Sequence, residues 1–144
     1  VTSIVGCYNL KTDIVELVNA GHQPALLKQS NDEFIEYESS CSPLAVIKHK
    51  DQSVYKVENF KLASNRLYMF TDGFSEFLDT KNNEIGIQGV KKLIVDYRHS
   101  SLKKELENIT HFIQQKSLQK NDDNTIEKNN LILEDDLTII GLGK

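Results

Sequence analysis

Two short acidic motifs, Thr71-Asp72-Gly73 and Asp135-Asp136-Leu137-Thr138, each adjoin a hydrophobic run that reads as a buried strand. Leu67-Tyr68-Met69-Phe70 leads into the first, and Leu137, Ile139 and Ile140 belong to the second. A charged side chain beside such a run is costly unless it is solvated, paired or bound to a cation. Carboxylates at strand ends, far apart in sequence, can build a metal site on a β-scaffold, and hard cations such as Mg²⁺ and Mn²⁺ take oxygen ligands of this kind. The alternative is a pair of ordinary turns, since Asp-Gly is a common turn dipeptide. A third stretch, Asn19-Ala20-Gly21-His22-Gln23-Pro24-Ala25-Leu26-Leu27, adds a histidine. Gly21 after a strand permits a tight turn, and His22 can serve as ligand, proton carrier or phosphate donor. The competing reading is a ring that caps the turn and does no chemistry.

The elements that would position these residues follow from periodicity. Residues 3–10 and 14–19 are rich in Ile and Val, and the intervening Asn9-Leu10-Lys11-Thr12-Asp13 supplies turn chemistry, so a β-hairpin is expected. Ala25-Leu26-Leu27 and Phe34-Ile35-Glu36-Tyr37 flank a polar Ser30-Asn31-Asp32 turn and predict a second hairpin. Ser42 to Val46 reads as the start of an extended piece, Ser53 to Val57 as a half-buried strand of period two, and Arg66 to Phe70 as the next strand. The period then changes. Ile87, Val90, Ile94 and Tyr97 share one helix face, and Leu102, Leu106, Ile109 and Ile113 share another, with Ser100 or Ser101 as N-cap. Lys120 to Asn130 reads as a loop, and Leu131 to Leu133 and Leu137 to Leu142 return to strand. Strands first, helices later and a strand last argue for an α+β fold with helices on one sheet face.

Composition bounds the function classes. The 144 residues amount to one domain or a piece of one, and the chain opens in strand-like sequence without an initiator methionine, so a missing N-terminal part is expected. The 39% hydrophobic content suffices for a core. A net charge of −4 argues against a nucleic-acid or anionic-membrane partner, which would require a basic patch. No apolar stretch approaches the roughly 20 residues of a membrane span, and no signal-peptide pattern is present. Cys7 and Cys41 make neither a disulfide framework nor a metal-type spacing, so the expected setting is a reducing cytoplasm.

Taken in order, Asn19-Ala20-Gly21-His22, Thr71-Asp72-Gly73-Phe74-Ser75-Glu76 and Asp135-Asp136-Leu137-Thr138 resemble the metal-dependent protein phosphatase (PPM) family. The match is to the bacterial SpoIIE-like branch, which includes regulators of general-stress and sporulation sigma factors, and it covers the whole chain. One departure is Pro43-Leu44-Ala45 where relatives usually carry Pro-Leu-Gly. The resemblance implies an antiparallel β-sandwich flanked by helices, of which residues 1–144 would be the C-terminal portion, with a dinuclear Mn²⁺ or Mg²⁺ centre at one edge. It makes Asp72 and Asp135 the metal ligands and catalytic residues. It gives supporting roles to Asn19, Gly21, His22, Gly73, Glu76, Asp136 and Thr138: Asp136 by hydrogen bonding, Glu76 by reaching a further metal through water. His22 stands where the eukaryotic-type branch has an aspartate, which counts against a third metal.

The family's bridging aspartate and its glycine should lie upstream of this sequence, since no Asp-Gly or Asp-x-x-Gly stands between Val1 and His22. The intact protein is therefore expected to hydrolyse phosphoserine or phosphothreonine in a partner, by resemblance a STAS-type anti-anti-sigma factor, under an upstream sensor or receiver domain. The fragment alone is expected to be inactive, and to self-associate where it exposes a sheet edge. The rival is a non-catalytic phosphatase-fold module that binds a partner. A nucleotide-dependent kinase is weaker, because no glycine-rich phosphate loop is present.

Overall fold

A computed structural model describes residues 1–46, 55–78, 83–119 and 137–143. Among the described residues, seven strands and three helices follow one another as β1 (Ser3–Asn9), β2 (Ile14–Ala20), β3 (Ala25–Lys28), β4 (Phe34–Tyr37), β5 (Glu58–Lys61), β6 (Arg66–Phe70), α1 (Asp72–Ser75), α2 (Gly86–Asp96), α3 (Leu102–Gln119) and β7 (Ile139–Leu142). The chain divides into two compact units, Val1–Met69 with Gly141–Lys144, and Phe70–Ile140.

The strands form two sheets, β1-β2-β5 and β4-β3-β6-β7. Both expected hairpins are present and antiparallel: β1 runs against β2 from Ser3↔Ala20 to Asn9↔Ile14, and β3 against β4 from Ala25↔Tyr37 to Lys28↔Phe34. The first turn forms because Asn9 Oδ1 accepts the N–H groups of Lys11 and Thr12, and because Asp13 adopts φ 61°, a left-handed conformation aspartate tolerates. Asp13 then ties two loops together. Its carboxylate accepts from Tyr8 Oη at 2.6 Å and from the Ala63 N–H at 2.8 Å, while its carbonyl accepts the Leu62 N–H.

Alternation along β2 sends Val15 and Leu17 inward and Glu16 outward. These two residues meet Ala25, Leu27, Leu62 and Leu67 in a single core cluster, with Ile4, Tyr8, Tyr37, Phe60, Met69 and Leu142 packed around it. Residues of both sheets fill this cluster, which is what makes the pair a sandwich. Tyr37 of β4 stacks on Phe60 of β5 with ring centroids 4.7 Å apart. Burial, and secondarily the nearby Glu58 charge, push the Tyr37 hydroxyl above its usual pKa. Leu26 and its β6 partner Tyr68 point to the other face of their sheet and are fully buried too. That two-sided burial explains why β3 and β6 read as unbroken apolar runs.

Two expectations fail locally. The segment from Ser42 is not extended: Leu44, Ala45 and Val46 form a turn, with Ala45 at φ 64° and the Val46 N–H donating to Pro43 O. Of the strand expected over Ser53 to Val57, Ser53 and Val54 lie outside the described residues. Tyr55 to Val57 is irregular, and β5 starts at Glu58, pairing Phe60 with Val15. Only one residue of β5, Phe60, is a large apolar group, so its period was hard to see; Val57, which drew attention, is half exposed.

In the second unit the helical periodicities hold. Val90 and Ile94 of α2 and Ile109 and Ile113 of α3 are buried, as is Phe74 of α1, and the rings of Tyr97 and Phe112 meet at 5.2 Å. Ser101 occupies the N-cap position of α3, since its carbonyl accepts the Glu105 N–H. The buried Glu105 carboxylate reaches back to the His99 N–H at 2.9 Å and fixes the start of the helix. Among the described residues, no helix is long and apolar enough to cross a membrane. The expected loop over Lys120 to Asn130 and strand over Leu131 to Leu133 lie outside the described residues.

Candidate functional site

β6 ends at Phe70, and Thr71 stays extended (φ −78°, ψ 161°) before the chain turns into α1. Asp72 is thus delivered directly after a strand end, as expected, and its side chain is exposed. It lies in the first turn of α1, and Glu76, also exposed, is the C-cap of the same helix. The turn is locked by backbone and hydroxyl bonds: Phe74 N–H to Thr71 O, Glu76 N–H to Asp72 O, and Ser75 Oγ to Asp72 O at 2.9 Å. Phe74, buried next to Gly73, anchors the turn from below.

Thr138, the last residue of the second acidic motif, stands beside Thr71. The Thr71 N–H donates to Thr138 O at 3.0 Å, and the Thr138 N–H donates to Thr71 Oγ1 at 2.9 Å. Thr71, Asp72, Glu76 and Thr138 are therefore gathered in one region of the second unit. Asp135 and Asp136 fall outside the described residues.

Asn19, Gly21 and His22 form a turn in the first unit, at the end of β2. Asn19 is only 3% exposed, and its amide organises the turn. Its Nδ2 donates to Gln23 O (3.0 Å) and Tyr37 O (3.2 Å), and its Oδ1 accepts the His22 N–H (2.9 Å). Gly21 is required twice over. Its φ is +70°, and a Cβ there would lie 2.7 Å from Pro43 Cδ and 2.8 Å from Pro43 N. The Gly21 N–H donates to Ser39 Oγ at 2.6 Å, and an isolated parallel bridge joins Ala20 to Cys41. His22 is half-buried, and its Nδ1 lies 3.2 Å from Gln23 O, a contact that orients the ring and leaves Nε2 as the nitrogen for further chemistry. Ser39 was not singled out in the sequence, and Pro43 was noted only within Pro43-Leu44-Ala45; the fold brings both to Gly21.

Exposed carboxylates at a strand end are the kind of donor Mn²⁺ and Mg²⁺ take, so Asp72 and Glu76 fit such ions in kind. Among the described residues, no group of three or more His, Cys, Asp or Glu is placed to hold a metal. A complete centre thus needs donors beyond those described.

A sequence model of the family described as Stage II sporulation protein E (SpoIIE) matches residues 1–142. The chain belongs to the SpoIIE family. No curated protein sequence matches it. Among solved structures, the phosphatase domain of SpoIIE from Bacillus subtilis (Mn presoaked) is similar over 99% of this chain and 56% of that one, at 15% identity and TM-score 0.61. The SiaA-PP2C domain of Pseudomonas aeruginosa is similar over 98% of this chain and 50% of that one, at 14% identity and TM-score 0.70. The structure of the RsbU and RsbW domains of a Mycobacterium tuberculosis protein is similar over 79% of this chain and 31% of that one, at 16% identity and TM-score 0.57. At such identities the likeness establishes the fold: antiparallel sheets with helices, as in PP2C phosphatase domains. This SpoIIE-family chain spans about half the length of the SpoIIE and SiaA chains it resembles.

Proposed function

We infer that the whole protein is a metal-dependent protein serine/threonine phosphatase, and that residues 1–144 are the C-terminal portion of its phosphatase domain. Family membership supports this reading, and one observation carries it: the reciprocal hydrogen bonds of Thr71 and Thr138, which join the ends of the two acidic motifs. Asp135 and Asp136 stand three and two residues before Thr138 in sequence. In this reading Asp72 and Asp135 hold two Mn²⁺ or Mg²⁺ ions together with a bridging aspartate from the remainder of the protein. When bound, such ions supply an acidified water and neutralise phosphoryl oxygens.

The chain's own residues then have separate tasks. Asp72, exposed after β6, offers carboxylate oxygens from a backbone already fixed by α1, so little ordering is needed on binding. Gly73, Asp136 and Glu76 would support the centre, Asp136 by hydrogen bonding and Glu76 by reaching a further ion through water. Asn19 and Gly21 hold the turn that carries His22. The substrate proposed is a phosphorylated STAS-type anti-anti-sigma regulator in the cytoplasm, with an upstream sensor or receiver domain switching activity.

The test is dephosphorylation of a phosphoserine STAS protein by the whole protein, with Mn²⁺ present and after chelation. Metal-dependent release of phosphate is expected from the whole protein, and negligible release from residues 1–144 alone, since this reading puts the bridging carboxylate elsewhere in the protein. Tight binding of the partner without hydrolysis at any Mn²⁺ concentration would favour the non-catalytic module instead.

A further inference from the structure

The geometry points to the Thr71 hydroxyl as a positioning group: it stands in for a backbone carbonyl beyond the end of the β6–β7 pair and so sets where Thr138, the last residue of the second acidic motif, lies against the Asp72 turn. In an antiparallel ladder, a hydrogen-bonded residue pair exchanges two N–H···O=C bonds. Thr71 and Thr138 make one of these, from the Thr71 N–H to Thr138 O. The second would run from the Thr138 N–H to the Thr71 carbonyl. That carbonyl serves α1 instead, accepting the Phe74 N–H at 3.1 Å, and the Thr138 N–H goes to the Thr71 side chain. The same bend that delivers Asp72 turns this carbonyl toward α1. Thr71 Oγ1 serves as the acceptor for Thr138 at 2.9 Å.

The consequence is a division of labour within one residue. The Thr71 backbone carbonyl starts the helix that carries Asp72 and Glu76, and its side chain holds the strand that follows Asp135 and Asp136. Serine would preserve both functions. Valine, of nearly the same shape, would preserve the first and abolish the second, leaving the Thr138 N–H without this acceptor. Thr71 is not proposed to touch metal or substrate. Its effect is on the relative placement of carboxylates, and outer-shell groups of this kind change metal affinity by about 10–100-fold.

The metal role rests on the phosphatase reading, so the experiment uses two readouts on the whole protein. The first is amide hydrogen exchange at Thr138 in metal-free Thr71→Val and Thr71→Ser, with a melt to check folding. The second is Mn²⁺ binding, followed by the electron paramagnetic resonance signal of free Mn²⁺. Exchange at Thr138 should rise by about tenfold in Thr71→Val, as expected for loss of one hydrogen bond of ordinary net strength. Mn²⁺ affinity should fall about tenfold or more, and Thr71→Ser should restore both. Thr71→Ala gives the same comparison if the valine variant loses its fold. Unchanged exchange at Thr138 overturns the tie itself. Faster exchange with unchanged Mn²⁺ affinity overturns the positioning role. A wild-type protein that binds no Mn²⁺ sinks the phosphatase reading, and with it any metal role for Thr71, whatever the exchange data show.

Discussion

Gly21→Ala should be among the most damaging single-methyl additions in this chain. Two independent costs apply. An L-residue held at φ +70° carries a left-handed penalty of about 1–2 kcal/mol. The new Cβ would also sit 2.7 Å from Pro43 Cδ and 2.8 Å from Pro43 N, inside any van der Waals contact, and forced overpacking typically costs about 1–3 kcal/mol. Pro43 has little freedom to retreat. The bridge from Ala20 to Cys41, the bond from Gly21 N–H to Ser39 Oγ, and the Leu44 N–H donating to Val1 O hold its segment against β2. The two costs act at one place and are not strictly additive, so a loss of about 2–4 kcal/mol is expected. In a denaturant melt that loss lowers the midpoint while leaving the slope unchanged. The assay is a urea melt of the whole protein beside wild type, with Gly6→Ala as control. At Gly6 an added Cβ meets nothing closer than Glu16 O at 3.4 Å. A Gly21→Ala loss no larger than the control would refute the reasoning, because it would mean that neither the turn conformation nor the Pro43 contact is fixed.

Three further outcomes are expected. Asp72→Asn in the whole protein should reduce single-turnover dephosphorylation by at least about a hundredfold while changing a metal-free urea melt by less than about 1 kcal/mol, since the exposed carboxylate contributes little to the fold and its charge holds the cation. Ala45→Gly should stabilise by about 0.5 kcal/mol in the same melt: relief of the φ 64° conformation outweighs the extra freedom glycine gives the unfolded chain. Residues 1–144 alone should self-associate in sedimentation velocity through β1, which is an outer strand of its sheet, carries no charge or proline and leaves Val5 62% exposed; Val5→Lys should reduce the association, as edge lysines do in natural sheets.

The fold was legible where one face of an element repeats large apolar residues. β1, β2, β3, β4 and β6 match the expected strands closely, and α2 and α3 follow Val90–Ile94 and Ile109–Ile113, because burial there is encoded by period alone. β5 was misplaced because its contribution to the core is a single ring, Phe60, whose partner Tyr37 comes from the opposite sheet. No local pattern can announce a stack between strands more than twenty residues apart. The Ser42–Val46 segment failed for a different reason. Pro-Leu-Ala reads as neutral in sequence, yet Ala45 adopts a left-handed conformation that glycine would suit better. The departure from the family's Pro-Leu-Gly is thus a strained position rather than a change of surface chemistry.

The acidic motifs were visible as chemistry but not as geometry. Asp72 was correctly expected after a strand, yet nothing in Thr71-Asp72-Gly73 indicates that the threonine serves the other motif. That role exists only because α1 begins so soon after β6 that the Thr71 carbonyl turns to Phe74. The bend that presents Asp72 turns the Thr71 carbonyl to Phe74, and a β-branched hydroxyl residue offers Thr138 an acceptor without leaving the extended conformation. Asparagine or aspartate at position 71 could offer an oxygen as well, but both favour turn conformations over the extended one observed at ψ 161°. The residue type before Asp72 is therefore set by the ladder, and the residue type at 72 by the chemistry proposed for it.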